Sequence, residues 1–252
     1  MENRRKLLEI TKGKAGIELK STLYNELSPL VINDYNQISY EKMKEILLKE
    51  LTEKGLYGGN DLNDKDINCE HIWPQSFFNK EYPMRSDMNH CFFTHRRLNS
   101  HRNTYKFGNL DNQMIMYLNQ FGVKIKDVSC LYSKKCNIEE LFEPIDVSKG
   151  NVARAVAYFH TMYPNYNISK VMDISIMIEW HRNDPVDINE EIRTDVIYKY
   201  QNNYNPYIVC PELLERVFNE LKPVNVEKRI TNIENKLDVL IDLVQKSLSC
   251  TM

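Results

Sequence analysis

Residues 67–74 read Ile-Asn-Cys-Glu-His-Ile-Trp-Pro, a strand-like run from Ile67 to Trp73 that stops at Pro74, because proline offers no N–H to a ladder. After an irregular stretch at 75–87, residues 88–93 (Met-Asn-His-Cys-Phe-Phe) form a second short strand-like run. Thr94 is a suitable N-cap for a helix through about residue 102. Neighbouring side chains on a regular strand point to opposite faces. Glu70 and His71 can therefore serve one site only if the first strand bends or ends there, which Pro74 allows.

Helical spacing surrounds this unit. From Tyr40 to Leu51, apolar residues fall at 43, 46, 47 and 51. Gly55 and then Gly58-Gly59-Asn60-Asp61 mark a loop before the first strand. Gly150 precedes a helical run from Asn151 to Met162, and 169–182, 187–200 and 211–221 have helical character. Strand, loop, strand and helix among flanking helices predict an α+β, mainly helical domain over residues 1–222. Residues 223–252 differ in kind. There Val226, Ile230, Ile233, Leu237, Leu240 and Val244 recur at spacings of 4, 3, 4, 3 and 4, an a/d heptad seam. The expectation is a short C-terminal helix or coiled coil that makes a homo-oligomer through residues 226–248. One amphipathic helix packed back on the domain is the competing reading.

The net charge of −2 gives no global attraction to polyanions, so any nucleic-acid footprint must be local. Residues 94–106 supply one: Arg96, Arg97, Arg102 and Lys106 stand there with two histidines and no acid. No apolar h-region follows Met1 and no window approaches eighteen apolar residues, so the expectation is an intracellular protein with no membrane span. None of the six cysteines forms a C-x-x-C pair, which in that compartment favours reduced thiols.

Hydrolysis of a phosphodiester needs a base for the attacking water and a cation for charge on the phosphate. His71 is the natural base, since an imidazole near its ordinary pKa is largely neutral at pH 7. Glu70 and Asn99 offer hard oxygens, and Mg²⁺ prefers few protein ligands while keeping waters and phosphate. Arg85, Arg96, Arg97 and Arg102 are candidates to pair with phosphate oxygens. Each has a plain alternative: a solvated Asn on a helix, or an Arg pair on a charged surface. Cys69, His71, His90 and Cys91 offer a Zn²⁺ site instead, although C-x-H followed by adjacent H-C does not match usual zinc spacings.

Glu70-His71-Ile72-Trp73-Pro74-Gln75-Ser76-Phe77 resembles the E-H-V-W-P-x-S-W signature of the endonuclease I family, non-specific nucleases with a ββα-metal (His-Me finger) core. Asp87-Met88-Asn89-His90 stands where that family has D-L-H-H, and Leu98 to Gly108 is similar to its V-N-G-x-R-S-N-x-P-F-G. Further matches follow in order: Gly150 to Arg154 with Tyr158, Trp180 to Val186, and Gln201 to Tyr207. The resemblance covers roughly residues 65–212. It implies a ββα-metal core embedded among helices. His71 falls on the general base and Glu70 and Asn99 on the metal ligands. The remaining assignments rest on charge and position rather than on that carry-over: Arg85 and Arg102 are expected to act on the phosphate, Arg96, Arg97 and Lys106 to hold nucleic acid, and His90 and Trp73 to support the site.

The implied activity is Mg²⁺-dependent endonucleolytic hydrolysis of DNA, and of RNA, with little sequence specificity. It would leave 5′-phosphate and 3′-hydroxyl ends, with Mn²⁺ or Ca²⁺ as substitutes for Mg²⁺. Contacts to the backbone position a nucleic acid without reading its bases. The chain departs from the family pattern at Asn89, Phe92-Phe93, Asn103-Thr104, Asn202 and Tyr204. Asn202 replaces a Gly, and Asn is well suited to positive φ. The rival reading is a nuclease-like binding module with little or no turnover, multimerised by the tail.

Overall fold

The computed structural model describes residues 2–32, 38–51, 54–61, 66–111, 114–126 and 131–220. Residues 1–221 group as one compact unit, and the heptad run at 226–248 lies outside the described residues. Three helices open the chain: α1 (Glu2–Ile10), α2 (Gly16–Ile32) and α3 (Tyr40–Glu50). In α3 the expected Met43, Ile46 and Leu47 are buried, and Ser39 caps the first turn by accepting from Lys42 N.

A two-stranded antiparallel ribbon follows, β1 (Ile67–His71) against β2 (Cys91–His95), in register from Ile67 opposite His95 to His71 opposite Cys91. Helix α4 (Arg96–Arg102) leaves β2 directly and packs on both strands. β1 thus stops at His71 rather than Trp73, and β2 begins only after a 3₁₀ turn at Met88–His90. Thr94 is a strand residue, not the cap. Its hydroxyl already accepts from Tyr57 N, and the side chain of His95 caps α4 by accepting from Arg97 N.

A second sheet is built from β3 (Lys106–Phe107), β4 (Met116–Leu118), β5 (Lys124–Ile125), β6 (Ser133–Cys136) and β7 (Leu141–Glu143). Its order is β3-β7-β6-β4-β5, with β3 and β7 parallel and the other pairs antiparallel. No pattern in the sequence predicts it. Strands of two to four residues, one of them Ser-Lys-Lys-Cys, are too short for alternation to register.

Helices α5 (Lys149–Met162), α6 (Ile174–Asn183), α7 (Ile188–Gln201), α8 (Pro206–Val209) and α9 (Glu212–Phe218) complete the domain, giving the mixed α+β architecture. Helix α6 starts later than its spacing suggests because Ile168–Lys170 is a separate 3₁₀ turn capped by Asn167. Asn202 ends α7 at φ 54°, the left-handed conformation expected of a Gly replacement.

Helix α5 sits at the centre, with eleven of its fourteen residues buried. Phe159 stacks on Trp73, ring centroids 4.5 Å apart and planes 13° from parallel. The hydroxyls of Tyr158 and Tyr163 donate to Asp87 Oδ2 at 2.8 and 2.7 Å. The chain between β1 and β2 is therefore fixed to the core at both ends. Arg154 forms a buried bidentate pair with Glu190 (Nε–Oε1 2.8 Å) and also donates to the Asp184 carbonyl at 2.8 Å. Gly150 makes room for that crossing, since a Cβ there would stand 2.0 Å from the Asp184 oxygen.

Candidate active site

Among the described residues β1 pairs with β2 alone, and a cleft of about 330 Å³ is lined by residues of β1 and α4. Glu70 and His71 both line it, with Gln75 and Ser76 from the turn after Pro74 and Asn99, Ser100 and Arg102 from α4. The difficulty of opposite strand faces disappears in this cleft. The ladder ends at His71, and both side chains line the cleft there.

His71 is almost fully buried. Its Nε2 lies 2.9 Å from the Arg85 carbonyl oxygen, which can only accept, so the ring proton sits on Nε2. Nδ1 then carries the lone pair, and no hydrogen-bond partner meets it among the described residues. Burial above all, with His90 next, pulls the imidazole down to about 3, so it is neutral throughout the physiological range. His90 is held in turn by the Met84 carbonyl at 2.7 Å and packs its ring 4.8 Å from Phe159. Tyr40, at the start of α3, places its ring 5.6 Å from that of His71.

Glu70 is 3% exposed and accepts at one oxygen, Oε1, from the Tyr57 hydroxyl at 2.8 Å and Arg102 Nη1 at 3.2 Å. Both contacts fall on Oε1, which leaves Oε2 to the cleft. Burial raises the Glu70 carboxyl to about 7 against the opposing pull of Arg102 and Tyr57. Asn99 donates from Nδ2 to the Cys69 carbonyl at 3.3 Å, so Oδ1 is the atom it can present. Two hard oxygens beside a polar cleft suit Mg²⁺, which takes oxygen ligands and retains waters.

The basic stretch does not form one face. Arg102 is 1% exposed, and its guanidinium donates to the Ile72 carbonyl at 2.7 Å and the Asn103 carbonyl at 3.1 Å as well as to Glu70. Arg96 is exposed and pairs with Asp66 at 3.3 Å. Arg97 lies against the β4–β5 turn, where a Cβ on Gly122 would come within 2.6 Å of its own. Lys106 pairs with Asp173 at 2.6 Å. Arg85 sits half-buried with its guanidinium 5.1 Å from the Tyr40 ring, close to His71. Of the zinc-type set, Cys69, His71 and Cys91 are brought together and His90 is not.

Sequence reasoning missed Tyr57, Tyr40 and Asp87 as parts of the site. Tyr57 has the faint signal of an aromatic inside a Gly-rich loop, and Asp87 belonged to a motif already singled out. Tyr40 has no local signal, because its partner is thirty-one residues away in sequence (71 − 40) and meets it only in the fold.

The fold is of the mixed α+β kind, and comparison with known proteins identifies the family. The chain belongs to the endonuclease I family, whose model, described as Endonuclease I, matches residues 15–212. It is 29% identical over 241 residues to the "Extracellular ribonuclease" of Bacillus subtilis (strain 168), covering 83% of this chain and 77% of that protein. It is 26% identical over 234 residues to the "Extracellular ribonuclease" of Bacillus amyloliquefaciens, covering 82% and 75%. A shorter match, 33% over 69 residues and 27% of each chain, joins it to "Endonuclease-1" of Buchnera aphidicola subsp. Baizongia pistaciae (strain Bp). Among the described residues no helix is long and apolar enough to cross a membrane.

Proposed function

We propose that the protein is a Mg²⁺-dependent endonuclease cutting DNA and RNA with little regard to sequence and leaving 5′-phosphate and 3′-hydroxyl ends. The observation that carries this reading is His71 itself: a neutral imidazole whose proton is fixed on Nε2 and whose Nδ1 lone pair has no partner among the described residues, beside two hard oxygen donors. β1, β2 and α4 then make up the ββα-metal core. Glu70 Oε2 and Asn99 Oδ1 would hold the cation, with Mn²⁺ or Ca²⁺ as substitutes. When bound there, it supplies charge neutralisation at the phosphate and the leaving oxygen.

The protein's own groups do the rest. His71 takes the proton of the attacking water at Nδ1, with the Arg85 carbonyl orienting the ring. Arg85, beside the Tyr40 ring and near His71, pairs with a phosphate oxygen. Arg102 is a positioning residue: it ties Glu70 to the backbone at 71–72 and so sets the carboxylate beside Asn99. Arg96, Arg97 and Lys106 add long-range attraction for the nucleic-acid backbone outside the cleft. Tolerance of both sugars accords with relatives named as ribonucleases and an endonuclease, and with a site whose described donors match phosphate and metal rather than bases. The test is cleavage of end-labelled DNA and RNA of one sequence with Mg²⁺ or EDTA. Ligatable 5′-phosphate ends from both substrates are expected. Turnover of only one substrate would restrict the proposal to that nucleic acid, and binding without cleavage would favour the module without turnover.

A further inference from the structure

β1 carries a second donor set on the face away from Glu70. Cys69 and His71 are two residues apart and so share a face, and Cys91 stands directly opposite His71 on β2. A ring nitrogen of His71 and the sulfurs of Cys69 and Cys91 all lie within 4.8 Å of one another, in buried surroundings. Tetrahedral zinc with Zn–S about 2.3 Å and Zn–N about 2.0 Å sets its ligands roughly 3.5–3.8 Å apart, so these atoms need close by only about 1 Å. The His71 lone pair is on Nδ1, a buried atom without a hydrogen-bond partner among the described residues. Two thiolates, one imidazole and one water form a known open arrangement for Zn²⁺. The water has a route, because Cys69 and His71 line the catalytic cleft and Cys69 also borders a cavity of about 480 Å³ beside Tyr40.

We propose that Cys69, His71 and Cys91 form an inhibitory site for a thiophilic divalent cation of the Zn²⁺ kind, which engages the imidazole needed for cleavage and switches the nuclease off. The switch rests on the reading of His71 as general base. It differs from the Glu70–Asn99 pair in chemistry: sulfur and imidazole select Zn²⁺, whereas carboxylate and amide oxygens suit Mg²⁺. No oxidant is involved. On binding, the two thiol protons leave to solvent and three ligand bonds form. Millimolar Mg²⁺ does not compete for the sulfurs, so the two cations act at different atoms of one small region.

The test uses the full-length protein and Co²⁺ as a visible stand-in. Wild type should show sulfur-to-Co²⁺ charge-transfer absorption that Cys91→Ala lacks, with Cys69→Ser as second variant should the first fail to fold. Equimolar Zn²⁺ added to a Mg²⁺-supported nicking reaction should slow wild type by on the order of 10² or more, the loss expected on removing a positioned base. The same Zn²⁺ should leave Cys91→Ala, whose side chain has no part in cleavage, near its zinc-free rate in Mg²⁺. Absence of the band in wild type, or equal inhibition of both proteins, overturns the site. A band without inhibition overturns the switch, and the rate of His71→Ala then shows separately whether His71 is the base.

Discussion

Tyr57→Phe deletes one oxygen, the neutral donor to the buried Oε1 of Glu70 among the described residues. Hydrogen bonds to charged groups contribute about 1.5–3 kcal/mol. Each pKa unit corresponds to about 1.36 kcal/mol, so loss of this bond raises Glu70 by roughly 1–2 units. The starting point is about 7, set mainly by burial. Wild-type Glu70 is thus about half ionised at pH 7, and the variant between roughly 1% and 10%. Because only the carboxylate binds the cation, the Mg²⁺ concentration for half-maximal cleavage should rise about 5- to 50-fold at pH 7. The sign follows from a raised carboxylate pKa: metal binding weakens as pH falls through the folded-state value. At pH 9.5 both proteins are mainly ionised and the two should agree within about twofold. The maximal rate at saturating Mg²⁺ should change little, since His71 is untouched. The assay is plasmid nicking titrated with Mg²⁺ at both pH values. A defect of equal size at pH 7 and 9.5, or one that saturating Mg²⁺ cannot relieve, would refute the placing of Glu70 as a proton-competed ligand.

Arg154→Ala leaves Glu190 buried without its partner and should cost about 3–5 kcal/mol in urea unfolding. A loss under 1 kcal/mol, on the order of an exposed pair, would show that α5 and α7 are not locked through this contact. Arg85→Ala should slow cleavage by roughly 10- to 150-fold, equivalent to about 1.5–3 kcal/mol of charged hydrogen bonding. Arg96→Ala should instead weaken nucleic-acid binding alike across sequences and reduce the log–log salt slope by about 1. Interchanged effects for these two arginines would mean that the phosphate enters from the α4 side.

The local parts of this molecule were readable and the assembled ones were not. Helix α3 and most of α5 follow from apolar spacing, because each buries one broad stripe or a whole surface. The ribbon was visible as two apolar runs about a proline, though its ends shifted where Thr94 took a partner from another loop. The β3–β7 sheet was invisible, since its strands are held by pairing between segments rather than by their own pattern. Glu70, His71 and Asn99 could be named from motif chemistry. The sequence offered Arg102 as a phosphate partner, but its burial against backbone carbonyls depends on where β1 ends. The block of cations likewise looked uniform only because their acidic partners, Asp66 and Asp173, lie elsewhere in the chain.

The most direct test of the central claim is nicking of supercoiled plasmid by wild type, His71→Ala and Asn99→Ala, each with Mg²⁺ or EDTA. Wild type should nick only with Mg²⁺, and His71→Ala should lose roughly 10²–10⁴ in rate at any Mg²⁺ concentration. Asn99→Ala should recover part of its activity as Mg²⁺ is raised. Nicking that persists in EDTA, or a His71→Ala protein that keeps most of the wild-type rate, would contradict the account.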